Sequence, residues 1–195
     1  MKLLQKNEVF NSFCKASFFI RNMKINLKNK YLDLVINSYG AYIESFTKDK
    51  KPIFFPKLLT KIKGSLKTRG GMHPCLPNFG KSEINDLDRH GFGRISFWDI
   101  EYQDYKRVRL KLEGKKDYKG SIYYIEYKIE EASLLISLGI LNKSEKDLLI
   151  APAFHPYFYV DNKLKVKNLD LSKIKLEDTY FLKEKKVYLK SKYYD

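Results

Sequence analysis

Cysteine is almost missing from this chain of 195 residues; Cys14 and Cys75 are the only two. Two thiols do not make a disulfide framework, so the fold has to be held by its core. Uninterrupted apolar runs of the length a membrane helix needs are also missing, and no membrane partner is expected. Residues 1–22 are basic, but Lys15 breaks their apolar residues and no small-residue cleavage site follows. They read as a loose N-terminal extension rather than a secretion signal, which points to a reducing cytoplasm. The G-x-S-x-G elbow, the phosphate loop and the H-E-x-x-H helix do not occur, and Gly91-Phe92-Gly93 lacks the third glycine of a dinucleotide fingerprint.

Acidic residues are the minority, 23 against 38 Lys and Arg, for a net charge of +15. That balance permits binding to nucleic acid or to an anionic surface. The lysines, however, are spread along every segment and mixed with Asp and Glu, and no long basic block occurs. They read as a solubilising surface, and no nucleic-acid partner is expected. A basic nucleic-acid-binding β domain remains the weaker reading, and it would leave the motifs below unexplained. The same charge would help to hold a phosphorylated small molecule.

What the chain does have is alternation. It is 44% apolar and 15% aromatic, mostly Tyr and Phe, and is long enough to bury the core of one domain over residues 23–195. Val108, Leu110 and Leu112 alternate with Arg109, Lys111 and Glu113; Tyr123, Ile125, Tyr127 and Ile129 alternate with charged residues in the same way. The same period runs through Leu32, Leu34 and Ile36. Strands are expected over 24–27, 31–37, 41–47, 53–55, 96–102, 107–113, 123–130 and 133–141, with 185–190 as a further candidate. Residues 57–68 read as a basic connector and 81–89 as a polar loop. No segment shows a helical stripe. Period-two patterning with one wet face predicts an all-β protein, an antiparallel twisted β-sandwich.

The scarce residue types gather in two places. Residues 69–98 hold His73 and His90, the only tryptophan, Trp98, and five of the ten glycines (Gly70, Gly71, Gly80, Gly91 and Gly93). The third histidine, His155, lies in A-P-A-F-H-P-Y-F-Y at 151–159. A histidine among aromatics can keep a pKa near neutral and donate a proton, or it can be a core residue bonded to a backbone carbonyl. His90 precedes Gly91, whose backbone freedom can present the ring to a cleft. Arg94 and Arg69 can each hold a hydroxyl or phosphate bidentately, or sit as solvated charges at strand ends. Trp98 is either core or a cleft wall that stacks on a sugar. His73 and Cys75 are spaced H-x-C, which is not a usual zinc pairing, and no metal is expected.

Three ordered motifs go further. R-G-G-M-H-P-C-L-P-N-F-G from Arg69 resembles the R-G-G-x-P-x-x-x-P-x-F-G motif of the aldose 1-epimerase (galactose mutarotase-like) superfamily. Within that superfamily the stretch looks most like the branch of glucose-6-phosphate 1-epimerases and LacX-like proteins. R-H-G-F-G-R-I-S-F-W from Arg89 is similar to that branch's H-G-F-A-R-x-x-x-W, with Gly93 where alanine is usual. F-H-P-Y-F from Phe154 resembles the family's H-x-Y-F, and G-A-Y-I-E-S-F from Gly40 its early strand. The histidine inserted at position 73, before the proline, departs from the pattern.

The resemblance implies a large twisted β-sandwich and an enzyme that interconverts the α and β anomers of a hexose or hexose 6-phosphate without a cofactor. An acid protonates the ring oxygen while a base takes the anomeric proton, the ring opens, and closure on the other face reverses the roles. By position in the motifs, His155 corresponds to the acid and His90 to the histidine that polarises the ring oxygen. Arg69, Arg94, Asn78, Trp98 and Tyr157 correspond to substrate-binding positions, with both arginines on the phosphate in the sugar-phosphate branch. The family's base is a glutamate on a late strand. Glu177 and Glu184 are the only glutamates after His155, and neither stands in that motif. The chain is therefore expected to lack the last strands of the family fold, and a non-catalytic carbohydrate-binding protein of the same fold is the alternative.

Overall fold

A computed structural model of the chain describes residues 22–62, 64–81, 86–160, 180–183 and 186–189. The extension expected over 1–22 lies, apart from Asn22, outside the described residues. So do Cys14, Glu177 and Glu184.

The described strands, in chain order, begin with β1 (Lys24–Lys28), β2 (Leu32–Asn37), β3 (Tyr42–Lys48), β4 (Lys51–Pro52), β5 (Leu58–Ile62), β6 (Ser65–Arg69) and β7 (Met72–Cys75). They continue with β8 (Asp99–Gln103), β9 (Arg107–Glu113), β10 (Ser121–Glu130), β11 (Ser133–Asn142), β12 (Ala153–Pro156), β13 (Tyr180–Lys183) and β14 (Lys186–Leu189). One sheet runs β1-β2-β3-β7-β12, with β4 beside β3; a second runs β11-β10-β9-β8. The strand pairs within both are antiparallel. No α-helix occurs among the described residues, where the only helical turns are two short 3-10 segments.

The sandwich follows from the alternation. Leu32, Leu34 and Ile36 are buried on one sheet and Val108, Leu110, Tyr123, Ile125 and Tyr127 on the other, and all belong to one apolar cluster. Burying such side chains contributes about 1.5–3 kcal/mol each relative to exposure, so the period-two faces dominate the stability of the domain. The Tyr127 hydroxyl, fully buried, donates to the Ala41 carbonyl at 2.6 Å and ties the second sheet to the first. Burial raises the pKa of that phenol, so it stays a donor. Asn29 shapes the first hairpin by accepting from the backbone N–H groups of Tyr31 and Leu32.

Three expectations are corrected. Residues 57–68 are not a connector but a hairpin, β5 with β6, turning at Gly64. Both of its faces are largely wet, with Leu59 and Leu66 exposed, so it has no apolar stripe to read. Residues 53–55 do not form a strand; Phe54 makes a single bridge to Phe158. Pro52 and Pro56 flank it without donors, and the N–H groups of Ile53 and Phe54 both go to the Phe46 carbonyl. The strand expected from residue 96 begins only at Asp99, because residues 93–95 form a 3-10 turn. The candidate strand at 185–190 corresponds to β14, paired with β13.

Candidate active site

β7 and β12 are both four residues long, and they pair antiparallel with His73 directly across from His155. Period two then decides which side chains share a face. Met72 and Phe154 pack with the apolar cluster, whereas His73 and His155 project together on the other side. Their rings stack, with centroids 5.0 Å apart and 24° between planes. Tyr157 also stacks on His155, at 4.8 Å and 25°. His155 thus has two stacked ring neighbours.

His90 reaches the same place from a different part of the chain. It adopts a left-handed backbone, φ 69°, and its backbone N–H donates to the Gly80 carbonyl at 2.7 Å. The Gly80 N–H donates back to His90 Nδ1 at 3.1 Å. Nδ1 is therefore an acceptor, and in the neutral ring the proton is on Nε2. Gly91 makes this approach possible: with φ 68°, a Cβ there would stand 2.1 Å from the Leu76 carbonyl oxygen. The His90 ring sits edge-on to His155, 5.4 Å between centroids at 87°, and 5.9 Å from His73. Phe79 covers the group, 4.9 Å from His90 and 6.1 Å from His155.

The three imidazoles differ in their access to solvent. His73 and His90 are 4% and 7% exposed, while His155 is partly exposed and Phe79 openly so. His155 is the imidazole of the three that a ligand can reach most readily. Burial, then the nearness of His155, Arg94 and His90, push the His73 pKa down to about 3, against a bond to the Pro74 carbonyl that acts the other way. That carbonyl only accepts, so the 3.4 Å contact places the His73 proton on Nδ1. Cys75 lies beside it, Sγ to Nδ1 3.8 Å, and burial pushes its thiol up to about 11.

The guanidinium groups flank this cluster. Arg94 stands in the 3-10 turn at 93–95 and is close enough to act on His73, Cys75 and Tyr42. Arg69, the last residue of β6, acts on Tyr42 as well. Tyr42 sits 5.5 Å from His73, and its hydroxyl donates to the Gly70 carbonyl at 2.7 Å. Burial, with Tyr157 beside it, raises its pKa and keeps it protonated. Gly71 lets this corner close, since a Cβ there would meet the Ile43 carbonyl at 2.1 Å.

Three buried side-chain polar atoms are without a hydrogen-bond partner among the described residues: Asn78 Oδ1, Arg94 Nε and, in the core, the Tyr123 hydroxyl. Buried polar groups are normally paired, and a ligand's hydroxyls could complete the first two. Trp98 stands apart from this cluster. It is 3% exposed within the core, and its indole N–H donates to the Gly93 carbonyl at 2.9 Å, so it braces the turn that carries Arg94. Gly93 is itself a matter of space, because a Cβ would come within 2.9 Å of the Leu76 Cβ.

His90, His155, Asn78, Tyr157, Arg94 and Arg69 thus fall at one end of the first sheet. His73, Phe79 and Tyr42 complete the cluster and were not predicted as binding residues. Only the β7–β12 register reveals His73, and no residue pattern encodes that pairing. Phe79 carried a signal, as the phenylalanine of the P-N-F-G motif. Among the described residues, no group of three or more His, Cys, Asp or Glu side chains is arranged to hold a metal. No described helix is long and apolar enough to cross a membrane.

The family description "Aldose 1-epimerase" matches residues 23–192. Among solved structures, a protein of Synechocystis sp. PCC 6803 superposes with a TM-score of 0.63 at 23% identity, covering 74% of this chain and 57% of that one. A galactose mutarotase related enzyme from Lactobacillus acidophilus gives 0.59 at 18% identity, covering 75% of this chain and 51% of that one. A galactose mutarotase-like protein from Lactobacillus casei ATCC 334 gives 0.60 at 20% identity, covering 72% of this chain and 51% of that one. The chain spans about half the length of the structures it matches. At these identities the likeness is one of fold, the galactose mutarotase-like sandwich. No curated protein matches the chain.

Proposed function

This chain belongs to the aldose 1-epimerase family, and from that premise we propose that it interconverts the α and β anomers of a hexose or hexose 6-phosphate by acid–base ring opening. The observation that carries the reading is the convergence of His90 and His155, 65 positions apart in sequence (155 − 90), to 5.4 Å between ring centroids. His155, the more accessible of the two, donates a proton to the ring oxygen. His90, with Nε2–H as donor, steadies the same oxygen as charge develops on it. The ring opens, the bond between C1 and C2 rotates, and closure on the other face returns the proton to His155. Tyr157 and Phe79 supply apolar surface for the sugar's C–H face, and Asn78 and Arg94 take its hydroxyls. Arg69, with Arg94, would take the phosphate of a hexose 6-phosphate, where a guanidinium fork matches the oxygens.

The acceptor of the anomeric proton is a carboxylate in the family pattern, and the late glutamates Glu177 and Glu184 lie outside the described residues. Because neither of them stands in the family's base motif, a second reading is kept: a protein of the same fold that binds sugar without turnover. The two readings separate by following α-galactose and α-glucose 6-phosphate by NMR or polarimetry, with and without protein. Under the first, wild-type protein accelerates anomer exchange, and His155→Ala lowers that acceleration by about 10²–10⁴-fold. Exchange equally fast in the variant would remove His155 as the acid. Saturable binding without acceleration would establish the second.

A further inference from the structure

The histidine that departs from the family pattern, His73, has no place in the reaction above, and it is too deeply buried to meet a sugar. Yet it stands directly across the ladder from His155 and stacks on its ring. We propose that His73 is a positioning residue: its ring and that of Tyr157 are two leaves stacked on the His155 imidazole that fix its plane. This rests on the reading of His155 as the proton donor.

The geometry explains why a ring is needed there. The terminal torsion of a histidine is broad and roughly two-fold, so an imidazole at a strand position can swing through a wide arc. Two stacked neighbours, with centroids at 5.0 and 4.8 Å, oppose that swing, because turning the ring would drive its edge into them. His90, edge-on at 87°, adds a third ring contact. His73 can serve as a fixed leaf because it is itself tied down, by its Nδ1–H on the Pro74 carbonyl, by Tyr42 on another side and by the Cys75 sulfur. The ionisable groups around the pair are His90, Tyr42, Tyr157, Cys75 and Arg94. With Arg94 acting on it and desolvation opposing charge, His73 stays neutral over the working pH range. A neutral leaf does not compete with His155 for a proton.

The test compares His73→Ala and His73→Phe in the full chain. Phenylalanine keeps a flat ring in the buried position; alanine removes one of the two rings stacked on His155. Two readouts are taken: the rate of galactose anomer exchange, and the chemical shift of the His155 Cε1 proton, which ring currents from both leaves displace. Trp98 emission checks that the core is intact. His73→Ala is expected to lower kcat by about 10- to 100-fold, the cost of a misplaced reacting group, with KM changed by less than about twofold. It is also expected to move the His155 proton toward its free-imidazole position. His73→Phe is expected to keep most of the rate and the displaced shift. An unmoved His155 proton in His73→Ala, or equal loss in both variants, would overturn the proposal. If wild-type protein does not accelerate exchange at all, the functional reading fails, while the shift in the three proteins still decides whether His73 holds the ring.

Discussion

The four-stranded sheet and the histidine end of the first sheet are built on opposite terms. Strands β9, β10 and β11 are seven to ten residues long, strictly alternating and pinned register by register. The histidine end is made of two four-residue strands joined to bends at Gly70, Gly71, His90 and Gly91, all with positive φ. Repetitive burial holds the first region. Close backbone contacts hold the second, at spots where a Cβ would stand near 2 Å from a carbonyl oxygen. The difference teaches that a regular sheet supplies the free energy and an irregular corner supplies the placement.

That contrast can be broken in graded steps. The largest effect is expected in the regular region. Ile125, fully buried between β9 and β11, should lose about 2–5 kcal/mol of stability when replaced by alanine. A denaturant melt measures it. Sugar affinity of the folded fraction should be unchanged, and a parallel loss of affinity would show that the two regions are not separable.

A smaller loss of stability with a larger loss of function is expected at Gly91. Alanine there takes on a left-handed backbone, φ 68°, and a Cβ 2.1 Å from the Leu76 carbonyl. The strain should cost about 1–3 kcal/mol. Relief by moving residues 90–91 would carry His90 away from His155. Melts and sugar titrations on the same sample check both parts; intact sugar binding would contradict the role given to this bend.

The smallest effect is one of pH. His73 has a folded pKa of about 3 against an ordinary 6.5, so the unfolded chain takes up its proton first. Stability linked to His73 is therefore complete above the ordinary value and is lost as pH falls from about 6.5 toward 3. By pH 5.5 the loss should be about 1 kcal/mol relative to neutral pH. In His73→Phe this slope disappears, so wild type should lose stability relative to the variant on acidification. A constant gap from pH 7.5 to 5.5 would place the His73 proton elsewhere.

The fold was largely legible because alternation is a local property. Val108, Leu110 and Leu112 declare a strand with one wet face wherever they occur, and β9 follows as Arg107–Glu113. The hairpin β5–β6 was not legible, since its leucines and isoleucine do not alternate with its polar residues and Leu59 and Leu66 are exposed. At the site, the motifs named His90, His155 and the arginines, because Gly and Pro mark bends that bring side chains out of a sheet. They did not separate the buried histidines from the accessible one, nor show Trp98 as a core brace. Those distinctions depend on the β7–β12 register, which joins residues far apart in sequence, and on how the 3-10 turn packs under Trp98, which no alternation encodes.

The central claim, that His155 and His90, with His73 behind them and two arginines nearby, form one sugar site, is tested most directly by following the histidine ring resonances of the intact protein during titration with galactose and with glucose 6-phosphate. The account predicts that the signals of His155 and His90 move together and saturate at one affinity, with the smaller response at buried His73. Glucose 6-phosphate should bind the tighter of the two, through Arg69 and Arg94. Histidine signals that stay still while either sugar binds, or that saturate at unrelated affinities, would contradict it.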